Sequence, residues 1–458
     1  MKALAALWSG AGLPLDALDC VALTGADPVL PSSFALGEAA QATIAASALA
    51  AAEVGSRRNG ERQVVSVDMR HAAVEFLSER FVRVEGRAPE ELWDPIAGAY
   101  ECGDGRFVRL HTNFPHHRDG LLRILNCANE RTAVAQALRG WKAFDLEDAA
   151  AEAGLCATAM RTFEAWDAHP QGQAVMTRPV VSITRIGDGP VVRFLKAARP
   201  LADVRVLDLT RVIAGPVCGR TFAAHGAEVL TIASPNLPNL PALHMDTSRG
   251  KRSAFLDLRE AAGKDRLRAL LAGADVFVQG YRPGGLAALG FGPEEAAAIR
   301  PGIIYVSLSA YGAAGPWAGR RGFDSLTQTA SGMNHAEAEA AGSTGPRPLP
   351  CQALDHASGY LLAFGALVAL LRRMDRGGSW HVEVSLARTG RWIRDLGRVG
   401  DGFRVKAPEA ADIADLMETS DTAFGKLHAV RHAAGMADTP ARWVLPSPPL
   451  GADPAAWT

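Results

Sequence analysis

The stretch VRVLDLTRVIAGPVCGRTFAAHGAEVLTIA (204–233) opens on a short apolar run with β-branched residues, turns at Gly-Pro, and crosses a helical segment at 217–225 into a second apolar run, EVLTIA (228–233). Two further runs, DVFVQGY (275–281) and IIYVSLS (303–309), each follow a helix-like segment, 264–271 and 294–299. Strands alternating with helices need crossover connections, which predicts an α/β, doubly wound and mostly parallel sheet, a Rossmann-like arrangement. In such sheets anions and cofactors settle where a strand ends and a helix begins. Val212-Ile213-Ala214-Gly215-Pro216 is such a turn. An ordinary βα turn reads the same way, so the fold alone assigns no function.

Outward from this core the patterns change. Residues 35–54 are alanine-rich and helical, VVSVDM (64–69) and FVRLHTN (107–113) are strand-like, and 147–153 is helical again. The expected organisation is helices and a strand over 1–90, a smaller α+β unit over 91–187, a connecting segment at 188–202 and the large domain over 203–390. An irregular tail over 391–458 ends in WVLPSPPLGADPAAWT, whose prolines oppose regular structure. A faint repeat links GEAAQATIAAS…GERQVVSVDM to DHASGYLLAFG…GGSWHVEVSL. Each is an apolar helix, a basic-glycine turn and an alternating strand, with Gly60 facing Gly377, Val65 facing Val382 and Val67 facing Val384.

Bulk properties narrow the classes of function. The 458 residues exceed one compact core and predict two to four domains. Forty-eight basic and 49 acidic residues leave a formal charge of −1, so bulk charge points away from nucleic acid. The N-terminal run MKALAALWSGAGLPLDALDC is broken by Gly10, Gly12, Pro14 and Asp16, a poor signal peptide. The apolar stretches 39–52 and 360–371 fall short of the ~20 residues that span a bilayer. A cytoplasmic protein without a membrane partner is expected. The six cysteines form no CxxC pair, which argues against a zinc site or a disulfide framework.

The segment VLDLTRVIAGPVCGRTFAAHGAEVLTI (206–232) is similar to the opening of the family III CoA-transferases, the CaiB/BaiF type. SRGKRSAFLDLR (248–259), ADVFVQGYRPGGLAALGF (274–291), RPGIIYVSLSAYGAAGPW (300–317), GFDSLTQTASG (322–332) and ALDHASGYLLAFGALVAL (353–370) follow in that family's order. WDPIAGAYECGDGRFVRLH (93–111) and RTFEAWDAHPQGQAVMTRPVVSI (161–183) resemble its second half but come first. A duplication with truncation, or a circular permutation, accounts for that order.

This resemblance implies a soluble enzyme taking an acyl-CoA and a carboxylic acid as substrates, without a metal, and assembled as an interlocked homodimer. Asp355 matches the family nucleophile, although an Asp at a helix start is often only a cap. CoA-facing positions implied are Val212, Ile213, Ala214, Leu256, Arg259, Gly280, Tyr281 and Arg321. The basic loop Arg249, Lys251 and Arg252 offers further charge for phosphates, as does Arg320. Two other readings stay open. The racemase branch of the superfamily uses a His/Asp pair, but Phe323 stands at its His position. A divergent non-catalytic relative is suggested by Ala233, Gly280 and Ala288, where the family carries an acid, an Asn and often an Arg.

Overall fold

The computed structural model describes residues 1–89 and 91–458. Seven strands build the main sheet, in spatial order Arg252–Phe255, Glu228–Ala233, Arg205–Leu209, Val276–Gln279, Ile304–Ser309, Ser379–Ser385 and Ser182–Gly187. The first six are parallel and the seventh is antiparallel. Alternation along the strands sends Val206, Val229, Val278 and Val306 into one core and Leu207, Leu230, Phe277 and Tyr305 into another. Helices Ala214–Ala224 and Ala353–Arg376 cover the first face, and Ala261–Ala272 and Pro293–Ile299 cover the second. Both faces are therefore dry, as a parallel sheet requires. Strand order reverses at Arg205–Leu209, whose neighbours lead in opposite directions, and this opens a crevice at the carboxyl ends.

Two expected boundaries shift. The strand Ser182–Gly187, expected inside a separate unit over 91–187, is the antiparallel edge of the main sheet. The tail is not irregular throughout. A helix runs to Asp395, and strands Met417–Thr422, Gly425–Val430 and Ala434–Met436 pair with each other or with the N-terminal region. Met417–Thr422 and Gly425–Val430 form a local hairpin, while Val84 and Val65–Asp68, distant in sequence, supply the remaining pairing. Residues 98–159 form a three-stranded sheet, Gly98–Glu101, Phe107–Leu110 and Ala157–Ala159, with three helices around its own core of Val108, Leu121, Val134 and Leu146. Trp166 and Val175 of the next two helices pack with Tyr311 and Trp317.

The faint repeat takes physical form. Helices Leu36–Asn59 and Ala353–Arg376 each have 24 residues, are followed by Gly60 and Gly377, and pack along each other. Their preceding residues share one backbone conformation: Ala35 at φ −75°, ψ 64° and Gln352 at φ −79°, ψ 63°. The strand after each helix has a parallel neighbour on one side and an antiparallel one on the other. At the start of the first helix the Asp27 carboxylate accepts the amides of Gly37 and Glu38 at 3.0 and 2.8 Å.

Ala353–Arg376 is also long and apolar enough to cross a membrane, contrary to the shorter run expected for it, but its apolar window lies wholly inside the protein. Gly359 brings it against the helix that opens the crevice. A Cβ there would stand 2.6 Å from the Ala214 carbonyl oxygen and 2.7 Å from Val217 Cβ. Gly359→Ala is therefore expected to destabilise by about 1–3 kcal/mol through overpacking, against the ~1 kcal/mol that Gly→Ala gains in an exposed helix. Denaturant titration of the two proteins measures the difference.

Candidate active site

A cavity of about 660 Å³ occupies the crevice, in the size range of small-molecule sites. Its floor is the turn after Arg205–Leu209, where Val212, Ile213 and Ala214 lead into the helix Ala214–Ala224. Val212 has φ 74°, a left-handed conformation costly for a β-branched residue and typical of functional turns. Gly280 and Tyr281 line it from the end of Val276–Gln279, and Ala233 and Leu256 from the ends of the next two strands. Asp355 and Phe323 close the inner end. Every residue implied by the family resemblance, Arg259 and Arg321 included, lines this one cavity. Ala288 is not part of its wall and lies exposed on a short turn.

The basic residues divide by partner. Arg249 and Lys251, expected in a phosphate-binding loop, are each 2% exposed. Lys251 Nζ bonds Asp208 at 2.9 Å and Arg249 bonds Asp246 at 2.7 Å, so both are internal ion pairs. Arg252 reaches Glu228 at 3.4 Å, outside the cavity wall. A buried charge needs such a partner, and a sequence does not report burial. Arg259 sits on the rim with its guanidinium gripped by Asp257 at 2.6 Å, and Arg320 is held by Asp148 at 2.8 Å. Arg211, Lys264, Arg282 and Arg321 line the cavity with no acidic partner among the described residues. They leave the rim positive, with the Arg211 guanidinium also donating to the Pro238 carbonyl. Arg211, adjacent to the quoted turn, was passed over in the sequence although its place at a strand end was a signal. Its guanidinium lies 5.1 Å from the Phe114 ring.

At the inner end two carboxylates meet. Asp355 falls in the first turn of Ala353–Arg376. Its amide donates to Asp324 Oδ2 at 2.9 Å, and Gln328 Nε2 donates to Asp324 Oδ1. Burial and the neighbouring charges of Asp324 and Glu79 push the Asp355 carboxyl well above the usual carboxylate range. Burial likewise raises Asp324, to about 6, despite the amides that favour its charge. Glu79 bonds His356 at 3.0 Å just behind. His335, near in sequence, faces Glu339 at 3.3 Å and is not part of the cavity wall.

The small unit supplies a wall that sequence reasoning missed. Phe114, His116 and His117 line the cavity. The His111 ring stacks on Phe323 with centroids 3.8 Å apart. These residues stand some 200 positions before the helix they face, and no local pattern links the two.

The model of CoA-transferase family III matches the chain twice in succession, over residues 19–198 and 201–396. The chain belongs to CoA-transferase family III. An acetyl-coenzyme A transferase from Hypoxylon pulicicidum is 36% identical over 204 residues, 43% of this chain and 34% of that protein. An acyl-CoA transferase from Gibberella moniliformis is 31% identical over 365 residues, 70% of this chain and 64% of that protein. This family member thus spans between a third and two thirds of the length of those relatives. A crystal structure of a hypothetical protein from Mycobacterium tuberculosis shares 34% identity, over 44% of this chain and 59% of that one, with a TM-score of 0.38. Among the described residues no group of His, Cys, Asp and Glu is arranged to hold a metal ion.

The paired carboxylates set a stability signature. Both hold their protons more tightly folded than unfolded. The folded state therefore loses stability as pH rises from the unfolded carboxylate value of 3.8 through about 6 and above. Asp355→Asn, which mimics the protonated acid, is expected to match the native protein at pH 4 and to exceed its stability at pH 8. Denaturant midpoints at the two pH values measure this.

Proposed function

We propose that this chain transfers CoA between an acyl-CoA and a carboxylic acid, with Asp355 as nucleophile. The observation that supports it most is a buried carboxylate at a helix start, facing a cationic, CoA-sized cavity at the sheet's carboxyl ends. The two relatives named above as transferases of acetyl-coenzyme A and acyl-CoA point the same way.

An Asp355 oxygen attacks the thioester carbonyl carbon, and collapse of the tetrahedral oxyanion breaks the C–S bond to give a mixed anhydride and CoA thiolate. The thiolate attacks the aspartyl carbonyl, releasing the first acid and leaving an aspartyl-CoA thioester. The acceptor carboxylate attacks that thioester, forming a second anhydride and freeing the thiolate again. The thiolate then takes the acceptor acyl group, and the Asp355 carboxylate is restored. Arg211 and Arg321 meet the CoA phosphates. Attack requires the ionised acid, so the rate rises with pH as Asp355 loses its raised proton.

Asp355→Asn is expected to bind CoA like the native protein and to lose transfer by several orders of magnitude. Hydroxylamine with acyl-CoA traps the activated carboxyl, and mass spectrometry is expected to find the adduct on Asp355. Full transfer by the Asn variant, or an adduct elsewhere, would leave Asp355 as a helix-start residue only. Racemisation of a 2-methylacyl-CoA without any acceptor acid would favour the isomerase branch instead.

The Arg211→Gln, Arg321→Gln double variant removes two charge-assisted contacts of about 1.5–3 kcal/mol each. Calorimetry is expected to show CoA affinity reduced at least tenfold, with Arg259→Gln alone changing it little because Asp257 already engages that guanidinium.

A further inference from the structure

Asp355 lies where two cavities meet. The second, about 60 Å³, shares Val212, Ile213, Phe323 and Asp355 with the first, and Glu79, Arg80, Trp93, His111 and Asn113 enclose its far side. At about 10–15 Å³ per water-sized group it holds roughly four to six such groups. That is the room of a short acyl chain, set against the nucleophile and opposite the CoA-sized space.

Two polar wall groups in this chamber have nothing to bond, the Ser325 hydroxyl and the His111 ring, and the ring is the larger and the more rigidly held. Asn113 is spent on its own loop, donating to the Leu92 carbonyl at 2.9 Å and accepting from the Asp94 amide at 3.1 Å. His111 is 5% exposed, yet neither ring nitrogen has a hydrogen-bond partner among the described residues. A buried, unsatisfied imidazole is a cost that the fold does not recover by itself.

The ring is also held in place. It stacks on Phe323 at 3.8 Å, meets Trp93 edge-on at 5.9 Å, and its backbone amide donates to the Cys156 carbonyl at 3.0 Å. Burial, with Arg109 and His117 nearby, pushes it down to about 3, so it is neutral at working pH and presents one N–H and one lone pair. Such a weak base is poorly suited to abstracting a proton. A fixed, buried, neutral N–H suits the opposite task, stabilising negative charge that develops on an oxygen.

We propose that His111 is a catalytic residue of the transfer reaction, donating its ring N–H to the acyl carbonyl oxygen as Asp355 attacks. The proposal rests on the CoA-transfer reading. Asp355 forms the C–O bond, the carbonyl π electrons move to the oxygen facing His111, and their return expels the CoA thiolate. The imidazole keeps its proton throughout and is not consumed. It acts again on each later tetrahedral adduct whose oxygen lies in the small chamber.

The test uses the full chain with acetyl-CoA or succinyl-CoA as donor and a panel of short mono- and dicarboxylic acids as acceptors. His111→Phe keeps the stacking on Phe323 and removes the donor, and His111→Gln restores a neutral N–H. The Phe variant is expected to lose about 10²–10³-fold in kcat, with unchanged CoA affinity, an unchanged acid limb of the pH profile and a melting temperature equal to or above the native one. The Gln variant is expected to recover at least tenfold over Phe. A Phe variant within threefold of native kcat overturns the proposal and leaves the transferase reading standing. Loss in both variants with lowered melting temperatures also overturns it, because His111 would then be a packing residue. No transfer by the native protein with any pair overturns the transferase reading itself, and this proposal with it.

Discussion

The site depends on the burial of one helix along its apolar length. Ala353–Arg376 lies between the main sheet and the matching helix Leu36–Asn59, and its apolar window has no exposed face. A rod packed on every side cannot rotate or slide without opening voids, and close-packed interiors do not tolerate voids. Its first turn is therefore fixed beside the carboxyl ends of the strands. Gly359 sets the closeness of approach to Ala214–Ala224, and thus the relation between Asp355 and the turn at Val212. To that apolar contact the Asp324 carboxylate adds a hydrogen bond from the Asp355 amide at 2.9 Å.

Electrostatics at the site works against that packing. Asp324 and Asp355 are both buried, adjacent in space and of like charge, with Glu79 close behind. The fold accepts the cost because apolar burial elsewhere exceeds it, a common relation between stability and active sites. The open cations stand along the cavity, while Arg249 and Lys251 are tied into the interior. One population of basic residues thus builds the scaffold and another awaits a ligand.

Local patterns in the sequence revealed the core strands and the family landmarks. Glu228–Ala233 coincides with its expected run, and the alternation of strand and helix yields the sheet's direction. All nine residues implied by resemblance line one cavity, most of them near a strand end or helix start, places that a linear pattern marks, with Arg321 in the loop before Asp324–Ala330. Features set by distant pairing were not legible. Ala434–Met436 is a strand only because Val65–Asp68 lies beside it, and His111 matters only because Phe323 folds onto it. The burial of Lys251 is likewise decided by Asp208, far from it in the chain.

The carboxylate at Asp27 holds the amides that open the first long helix, as Asp324 holds that of Asp355 in the second. Asp27 is not among the residues that line the CoA-sized cavity. An acid bracing the start of a long buried rod is thus an architectural device that exists here apart from any chemistry. The molecule carries its own control. Damage from altering Asp27 reports what the brace contributes to folding, and any excess at Asp324 belongs to the reaction.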